Sequence, residues 1–544
     1  MKRDLSKLSE NKYDILIIGG GIYGAALLWR AAVAGLSAAL IEQNDFASGT
    51  SANSQKIIHG GLRYLQNLDF LRIRQSVSER KRLMWLAPHL VSPLPCIMPL
   101  YGFKLKGKES LSCAIKLYNL ISADRNSLPD ISKHIPNGKI LNKKKIIDLL
   151  PGIERKNLRG GVLWYDAFCS NTERLIISFI KSAVNLGCTA ANYIKAEKLL
   201  IENNYVKGVQ VFDKLSQNHF QIKSDKVVAC TGSEFFDFNE TLNIPKQNYV
   251  AGINLVVKRI FQHDYAAGIE NRGNNRLYFV VPWKDKTIIG TDWYPASQPE
   301  NFVFRKIHVR KLLDNFNETY PGANLTYDDV EFVHKGFVPA ADNIENLNST
   351  LSHYKIINGA KSGKNGFFKL VGVKYTTAVN VADSFLKAVI PGFKKTSVKS
   401  KPKLQGGEID DLEEFKNNIY KKYQASYSNQ ELDNIIGNYG SEIDKVLDQK
   451  NIETNNKYHK LLETRVLFAI EDEMAVHLDD VVLRRTDMGS SCLPDGEELD
   501  LISKIMAEEL NWDETKRIEE IKKLENCYSL LNKKLEYKQN LVLK

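Results

Sequence analysis

Apolar and polar positions along this chain alternate between two periods. Near the start, Ile15-Leu16-Ile17-Ile18 is a continuous apolar run, as expected of a parallel strand buried on both faces. Ala25 to Ala34 then has helical character and is broken at Gly35. A second apolar run, Ala38 to Ile41, ends in Glu42. Asp69 to Leu86 repeats with helical periodicity, and four prolines (Pro88, Pro93, Pro95, Pro99) punctuate a crossing into a new region. Gly160 to Tyr165 returns to strand and Glu173 to Leu186 to helix. Lys195–Phe212 and Phe220–Cys230 read as strands of an antiparallel excursion ending in the small-residue turn Thr231-Gly232. Ile253–Val257, Leu277–Val281 and Thr287–Gly290 are further short β-rich runs. Gly366 to Thr377 predicts a strand, a glycine turn at Gly372 and the start of a helix continuing to Ile390. A lysine-rich stretch, 391–407, separates this part from 408–537, which reads as successive helices.

Between the first strand and helix, Gly19, Gly21 and Gly24 fall at G-x-G-x-x-G spacing, and Glu42 follows Gly24 by 18 residues. Gly19 is expected to make the tight turn, Gly21 to admit a pyrophosphate, and Gly24 to let the helix pack on the strand. The helix N-terminus offers N–H groups and a partial positive charge to phosphates, and Glu42 is placed to accept from a ribose diol. Such a spacing alone is weak. With strand, helix, second strand and terminal acid in register it predicts dinucleotide binding.

The next stretch separates NAD from FAD. A Thr/Ser-rich run with Thr50, Ser51 and Ser54 leads into His59-Gly60-Gly61-Leu62-Arg63-Tyr64, a polar loop suited to wrapping a larger cofactor, with two glycines able to meet a flat ring. This run, ending in HGGLRYL, resembles the FAD-dependent glycerol-3-phosphate dehydrogenase family, and the resemblance extends with gaps over nearly the whole chain. It implies an α/β fold: a glutathione-reductase-type, Rossmann-like FAD domain, an interleaved mixed and antiparallel β substrate domain, and an all-α C-terminal domain. The expected bounds are 13–95, 155–245 and 335–390 for the FAD domain. The substrate domain takes 96–154 and 246–334, the linker 391–407, and the helical domain 408–537. Asp479-Asp480-Val481-Val482-Leu483-Arg484-Arg485-Thr486 also resembles the family's D-D-V-L-x-R-R-T run.

Composition narrows the picture modestly. Seven cysteines are scattered without a C-x-x-C pair, so no metal site, disulfide scaffold or redox dithiol is indicated, and a reducing cytoplasm is expected. No apolar run reaches transmembrane length, and the N-terminal segment lacks the apolar core of a signal peptide. The net charge of +11 admits nucleic acid, an anionic membrane surface or small anions. Phe103 to Leu150 interleaves Lys104, Lys106, Lys108 and Lys116 with Leu105, Leu111, Ile115, Leu117, Leu120 and Ile121. This suits either a peripheral helix on the inner face of the cell membrane or a solvated lid.

Oxidising an alcohol with a flavin requires a base for the hydroxyl proton and anchors for the substrate; the cofactor accepts the hydride. His59 is the candidate base and matches the family's active-site histidine. Arg63 matches an arginine that the resemblance implies contacts the substrate, and Lys374 the lysine of its G-G-K-x-T-T-Y-R motif. Thr231, Gly232, Gly372 and Thr376 are expected beside the cofactor, and Thr376 and Thr377 are placed to cap the following helix or to contact the substrate. Three departures stand out. Val338, in Gly336-Phe337-Val338-Pro339, occupies the arginine position of the family's G-x-R-P. Leu351-Ser352-His353-Tyr354 lacks the arginine of its S-R-D-Y, and the helix motif lacks Tyr-Arg.

The expected activity is FAD-dependent oxidation of a secondary alcohol, with sn-glycerol 3-phosphate first among small anionic substrates. Another polyol, sugar derivative, hydroxy acid or amine is the alternative. The final acceptor, a quinone or oxygen, and a homodimer are left open. An RNA-modifying flavoprotein would need a catalytic cysteine arrangement or an aromatic-basic strip, neither of which is evident. A non-catalytic flavin scaffold would not need His59, Arg63 and Lys374 together.

Overall fold

The computed structural model describes residues 1–102, 108–233, 247–341, 350–393, 402–448 and 457–532. Lys104, Leu105 and Lys106, the lysines at 394, 395, 399 and 401, and the end of the helical segment at 533–537 lie outside the described residues.

A six-stranded sheet organises the first half. Its order is Lys355–Asn358, Phe367–Val371, Val227–Ala229, Ile15–Ile18, Ala38–Ile41, Thr189–Ala191. All neighbours are parallel except the first pair. The four-residue apolar run is continuous because both faces are covered. Ile15 and Ile17 join a core with Trp29, Phe179 and Phe385 of the helices Ile22–Val33, Thr172–Asn185 and Ala378–Val389. Leu16 and Ile18 face the other way, against Val209, Val211 and Ile222. Those belong to the antiparallel strands Ile194–Glu202, Tyr205–Asp213 and Asn218–Ser224. The helix after the glycine turn begins at Ile22, earlier than the expected Ala25, because Gly21 is its N-cap and Gly24 lies within it.

The second sheet has nine strands and is antiparallel apart from the pairing of Ala266–Glu270 with Val91–Leu100. Two of its strands correct the expected domain bounds. Val91–Leu100 and Gly160–Cys169 pair along their full length, so 91–95 and 160–169 belong to this sheet rather than to the cofactor domain. Three of the four prolines read as punctuation lie on the first of these strands, and Pro88 precedes it. Pro93, Pro95 and Pro99 share parity, so their missing N–H groups all fall on one side. Val330–Pro339 is the sheet's far edge, which also moves 335–339 out of the expected cofactor domain.

The helical C-terminal part is not an isolated island. Leu462, Val466, Leu478, Val482, Leu499 and Ile502 share one core with Phe332, Val333 and Ile288 of the nine-stranded sheet. Residues 402–407, expected as linker, pack in: Leu404 is fully buried and its N–H donates to the Leu86 carbonyl at 3.1 Å. No helix among the described residues is long and apolar enough to cross a membrane.

Candidate active site

The six-stranded sheet changes winding direction at Ile15–Ile18, with Ala38–Ile41 on one side and Val227–Ala229 on the other. A crevice at such a switch point is where open α/β sheets bind ligands. Gly19 has φ of 112°, and a Cβ there would lie 2.6 Å from the Cys230 carbonyl oxygen, so this turn fits against Thr231-Gly232 only as glycine. A Cβ on Gly24 would stand 1.9 Å from the Gly19 carbonyl oxygen, so helix and strand approach as expected. Glu42 accepts the Gly20 N–H at 2.7 Å and the Asn44 N–H at 2.9 Å. It therefore braces the glycine turn, and a carboxylate has lone pairs to accept further bonds.

The Thr/Ser run ties the loop to its surroundings. Ser51 Oγ accepts the Ile22 N–H at 3.1 Å beside Gly21, and Ser54 Oγ accepts the Lys56 N–H at 3.1 Å. Thr50 Oγ1 donates to the Phe337 carbonyl at 2.8 Å and accepts its N–H at 3.0 Å, joining the loop to the edge of the nine-stranded sheet. The Gly232 carbonyl accepts the Tyr249 hydroxyl at 2.9 Å, a second join between the sheets.

His59 follows the short strand Ile57–Ile58, and its ring is half exposed. Its Nδ1 lies 3.1 Å from Asp166 Oδ2, and its ring centroid is 5.8 Å from that of Phe279. Nε2 makes no hydrogen bond among the described residues. Asp166 is buried in the middle of Gly160–Cys169, accepts the Gly60 N–H at 2.6 Å and Trp164 Nε1–H at 3.3 Å, and forms an ion pair with Arg80 Nη1 at 3.6 Å. Burial alone would raise its pKa. The His59 hydrogen bond and charge, Arg80 and the Gly60 N–H outweigh burial and hold the carboxyl below its usual range. Arg80 in turn donates to the Tyr165 carbonyl at 2.5 Å. Gly60 is glycine for a local reason: a Cβ there would lie 2.1 Å from Arg80 Nη1, and Gly61, at φ 85°, would crowd Ser76.

Sequence reasoning missed Asp166. The signal was present: a carboxylate inside the apolar strand GVLWYDAFC is costly to bury unless paired.

Thr376 does not cap the following helix. Its Oγ1 accepts the His59 N–H at 3.2 Å, while Thr377, at the N-cap position, makes no capping bond. Gly372 packs on Tyr23, whose hydroxyl donates to the Lys374 carbonyl at 3.1 Å. Lys374 Nζ donates to the Ser352 carbonyl at 2.9 Å and lies 4.7 Å from the centre of the Tyr64 ring. These residues border an open cleft that Arg72 also lines. Arg63 is exposed on the turn Leu62–Asn67, makes no ion pair among the described residues, and is not among those lining the cleft.

Residues 14–372 match the family of FAD dependent oxidoreductases, and residues 397–517 match the C-terminal domain of alpha-glycerophosphate oxidase. The chain belongs to the FAD dependent oxidoreductase family. An alpha-glycerophosphate oxidase of Streptococcus pyogenes serotype M18 is 30% identical, with 94% of each chain covered. A glycerol-3-phosphate dehydrogenase of Synechocystis sp. is 29% identical over 89% of this chain and 90% of that protein. Among solved structures, the glycerol-3-phosphate dehydrogenase from Bacillus halodurans complexed with FAD superposes with a TM-score of 0.76 at 24% identity, covering 97% and 96%. The fold class expected from the sequence is therefore the fold of the family, and FAD is its cofactor. The crevice fits FAD on its own terms. Its glycine turn has no room for a side chain at Gly19 or Gly24, it sits at a helix N-terminus, and a carboxylate ends the second strand.

Proposed function

We propose that this protein oxidises the secondary hydroxyl of sn-glycerol 3-phosphate to the ketone of dihydroxyacetone phosphate. The observation that carries the reading is the His59–Asp166 pair beside the proposed cofactor crevice. Support for the substrate comes from the names of the relatives, an alpha-glycerophosphate oxidase and a glycerol-3-phosphate dehydrogenase. We assign Gly19, Gly21, Gly24, Glu42, Thr231 and Gly232 to holding the cofactor's dinucleotide half. Thr50, Ser51, Ser54, Gly60, Gly61, Gly372 and Thr376 would shape the walls around the rest.

FAD, when bound, supplies the acceptor for the hydride that leaves the carbinol carbon. The chain handles the proton. Ionised Asp166 accepts from Nδ1–H of His59, which fixes the tautomer whose Nε2 carries the lone pair. Nε2 takes the hydroxyl proton, and the cation formed rests against a carboxylate 3.1 Å away. Phe279 flanks the imidazole and restricts its position. Arg80 keeps Asp166 charged through the cycle. Lys374 provides positive charge near the substrate oxygens. Electrons then pass to oxygen or a quinone.

A peripheral membrane position is compatible with the surface. Leu68, Leu71, Leu120 and Ile131 are exposed, and the basic residues Arg74 and Lys116 lie on the same helices as Leu71 and Leu120. Sedimentation with anionic vesicles tests that point. The activity is tested by mixing FAD-loaded protein anaerobically with glycerol 3-phosphate, glycerol and a 2-hydroxy acid. Glycerol 3-phosphate alone should bleach the oxidised flavin band and yield dihydroxyacetone phosphate. Bleaching by another compound with none by glycerol 3-phosphate would overturn the reading.

A further inference from the structure

The cleft beside Tyr64 gathers Arg72, Lys374 and His353, with one carboxylate, Asp69, beside Arg72. Arg72 stands in the first turn of the helix Phe70–Leu86, whose N-cap is Asp69. Its guanidinium lies 5.4 Å from the centre of the Tyr64 ring, and Lys374 Nζ lies 4.7 Å from the same centre. His353 lines the same cleft, and Gln75 and Ser352 add polar groups. No Asp or Glu is among the described residues lining it. The nearby Asp69 pairs with Arg72 through Nε at 3.0 Å, which fixes the guanidinium in place. Like charges brought onto one ring repel each other, and an anion between them removes that cost. The field is strong enough to register on His353. Partial burial, then Arg72 and Lys374, lower the pKa of its imidazole against the opposing pull of Asp69.

The cleft also borders the proposed chemistry. Lys374 is two residues from Thr376, whose hydroxyl oxygen holds the His59 N–H, and Tyr64 follows Gly61 on the same turn. A cationic cleft adjoining a base suits a substrate with a hydroxyl at one end and a dianion at the other.

We propose that Arg72 and Lys374, converging on Tyr64, form the subsite for the substrate's phosphate, and that Arg72 supplies a cation where Val338 and Ser352 stand in place of arginines. This rests on the phosphorylated-alcohol reading given above. Arg72 thus determines specificity without touching the reacting carbon.

The test uses the FAD-loaded full chain. Arg72→Gln should raise the KM for glycerol 3-phosphate roughly 10- to 100-fold, the effect of losing one charge-assisted contact. The limiting rate of flavin reduction should stay nearly constant, and Arg72→Lys should recover most of the affinity. Inorganic phosphate, titrated in and read from the flavin spectrum or by calorimetry, should bind the wild type and weaken by a similar factor in Arg72→Gln. Retained FAD and an unchanged melting curve establish that the variant is folded; were Arg72→Gln to misfold, Arg72→Met, which keeps the aliphatic stem and removes the charge, carries the same comparison. If glycerol 3-phosphate fails to reduce the wild type, the substrate reading falls while the phosphate titration still reports on the subsite. Unchanged KM and unchanged phosphate affinity in a folded Arg72→Gln would overturn the subsite.

Discussion

Two clusters of cations in this protein are built in opposite ways. Where the helical C-terminal part meets the cofactor-binding half, Arg174, Lys181, Arg484 and Arg485 are buried and each is closed by a carboxylate. Arg485 donates to Asp45 through Nη1 at 2.7 Å and Nη2 at 2.8 Å, and Arg484 Nε adds a third bond at 2.6 Å. Arg174 meets Glu473 at 2.5 Å, and Lys181 bridges Glu442 at 2.9 Å and Glu473 at 3.2 Å. At the Tyr64 cleft, His353 is exposed and Arg72 and Lys374 are partly exposed; Arg72 pairs through Nε with Asp69 at 3.0 Å, and no acid is among the described residues that line the cleft itself. Buried charge without a partner is prohibitively costly, so the seam must be neutralised internally. The partly exposed cleft has a smaller desolvation cost, and with one carboxylate, Asp69, beside Arg72 and Lys374 it keeps a net positive charge for a ligand. Density of arginine and lysine alone does not distinguish a joint from a binding site; the placement of carboxylates does.

The largest effect should come from breaking the seam. Glu473→Gln leaves Arg174 and Lys181 facing a neutral amide, at a cost of about 3–5 kcal/mol. Thermal unfolding followed by fluorescence should show a clear drop in midpoint. The same group predicts acid sensitivity. Burial would raise the Glu473 pKa, but Arg174 and Lys181 prevail and bring it down to about 2. Because the folded pKa is depressed, the stabilisation is present above the ordinary glutamate range and is lost as pH falls through it toward about 2. Glu473→Gln should flatten that part of the stability profile.

At the open site the effects should appear in rate or affinity rather than stability. His59→Asn should retain FAD and slow flavin reduction by glycerol 3-phosphate roughly 100-fold or more in stopped flow. Asp166→Asn should slow it roughly 10- to 100-fold by releasing the imidazole's orientation. Val338→Arg should have the smallest effect, a decrease of less than about tenfold in KM, since the cleft already carries Arg72 and Lys374. A larger gain would mean that the cleft is short of charge.

What could be read from the sequence follows the range of the interactions. The strands Ile15–Ile18 and Ala38–Ile41 were legible to the residue because burial on both faces writes a local apolar run. The glycine turn was legible because steric demands fall on single positions. Thr50 and Ser51 were expected to face the cofactor, and their hydroxyls also tie the loop to Phe337 and Ile22, partners set by tertiary packing. Arg484 and Arg485 stood out by resemblance, but their partner Asp45 lies about 440 residues away and no spacing announces it. Asp166 pairs with His59 across 107 residues, and Arg72 is one of several arginines on a helix whose periodicity does not tell which faces the cleft.

The central claim is that His59, oriented by Asp166, takes the hydroxyl proton. It is tested most directly by a double-mutant cycle on anaerobic flavin reduction. Rates are measured for the wild type, His59→Asn, Asp166→Asn and the double variant, each loaded with FAD and saturated with glycerol 3-phosphate. If Asp166 acts through His59, the double variant reduces its flavin no more slowly than His59→Asn alone. Two losses that multiply in the double variant, or a His59→Asn enzyme as fast as the wild type, would contradict it.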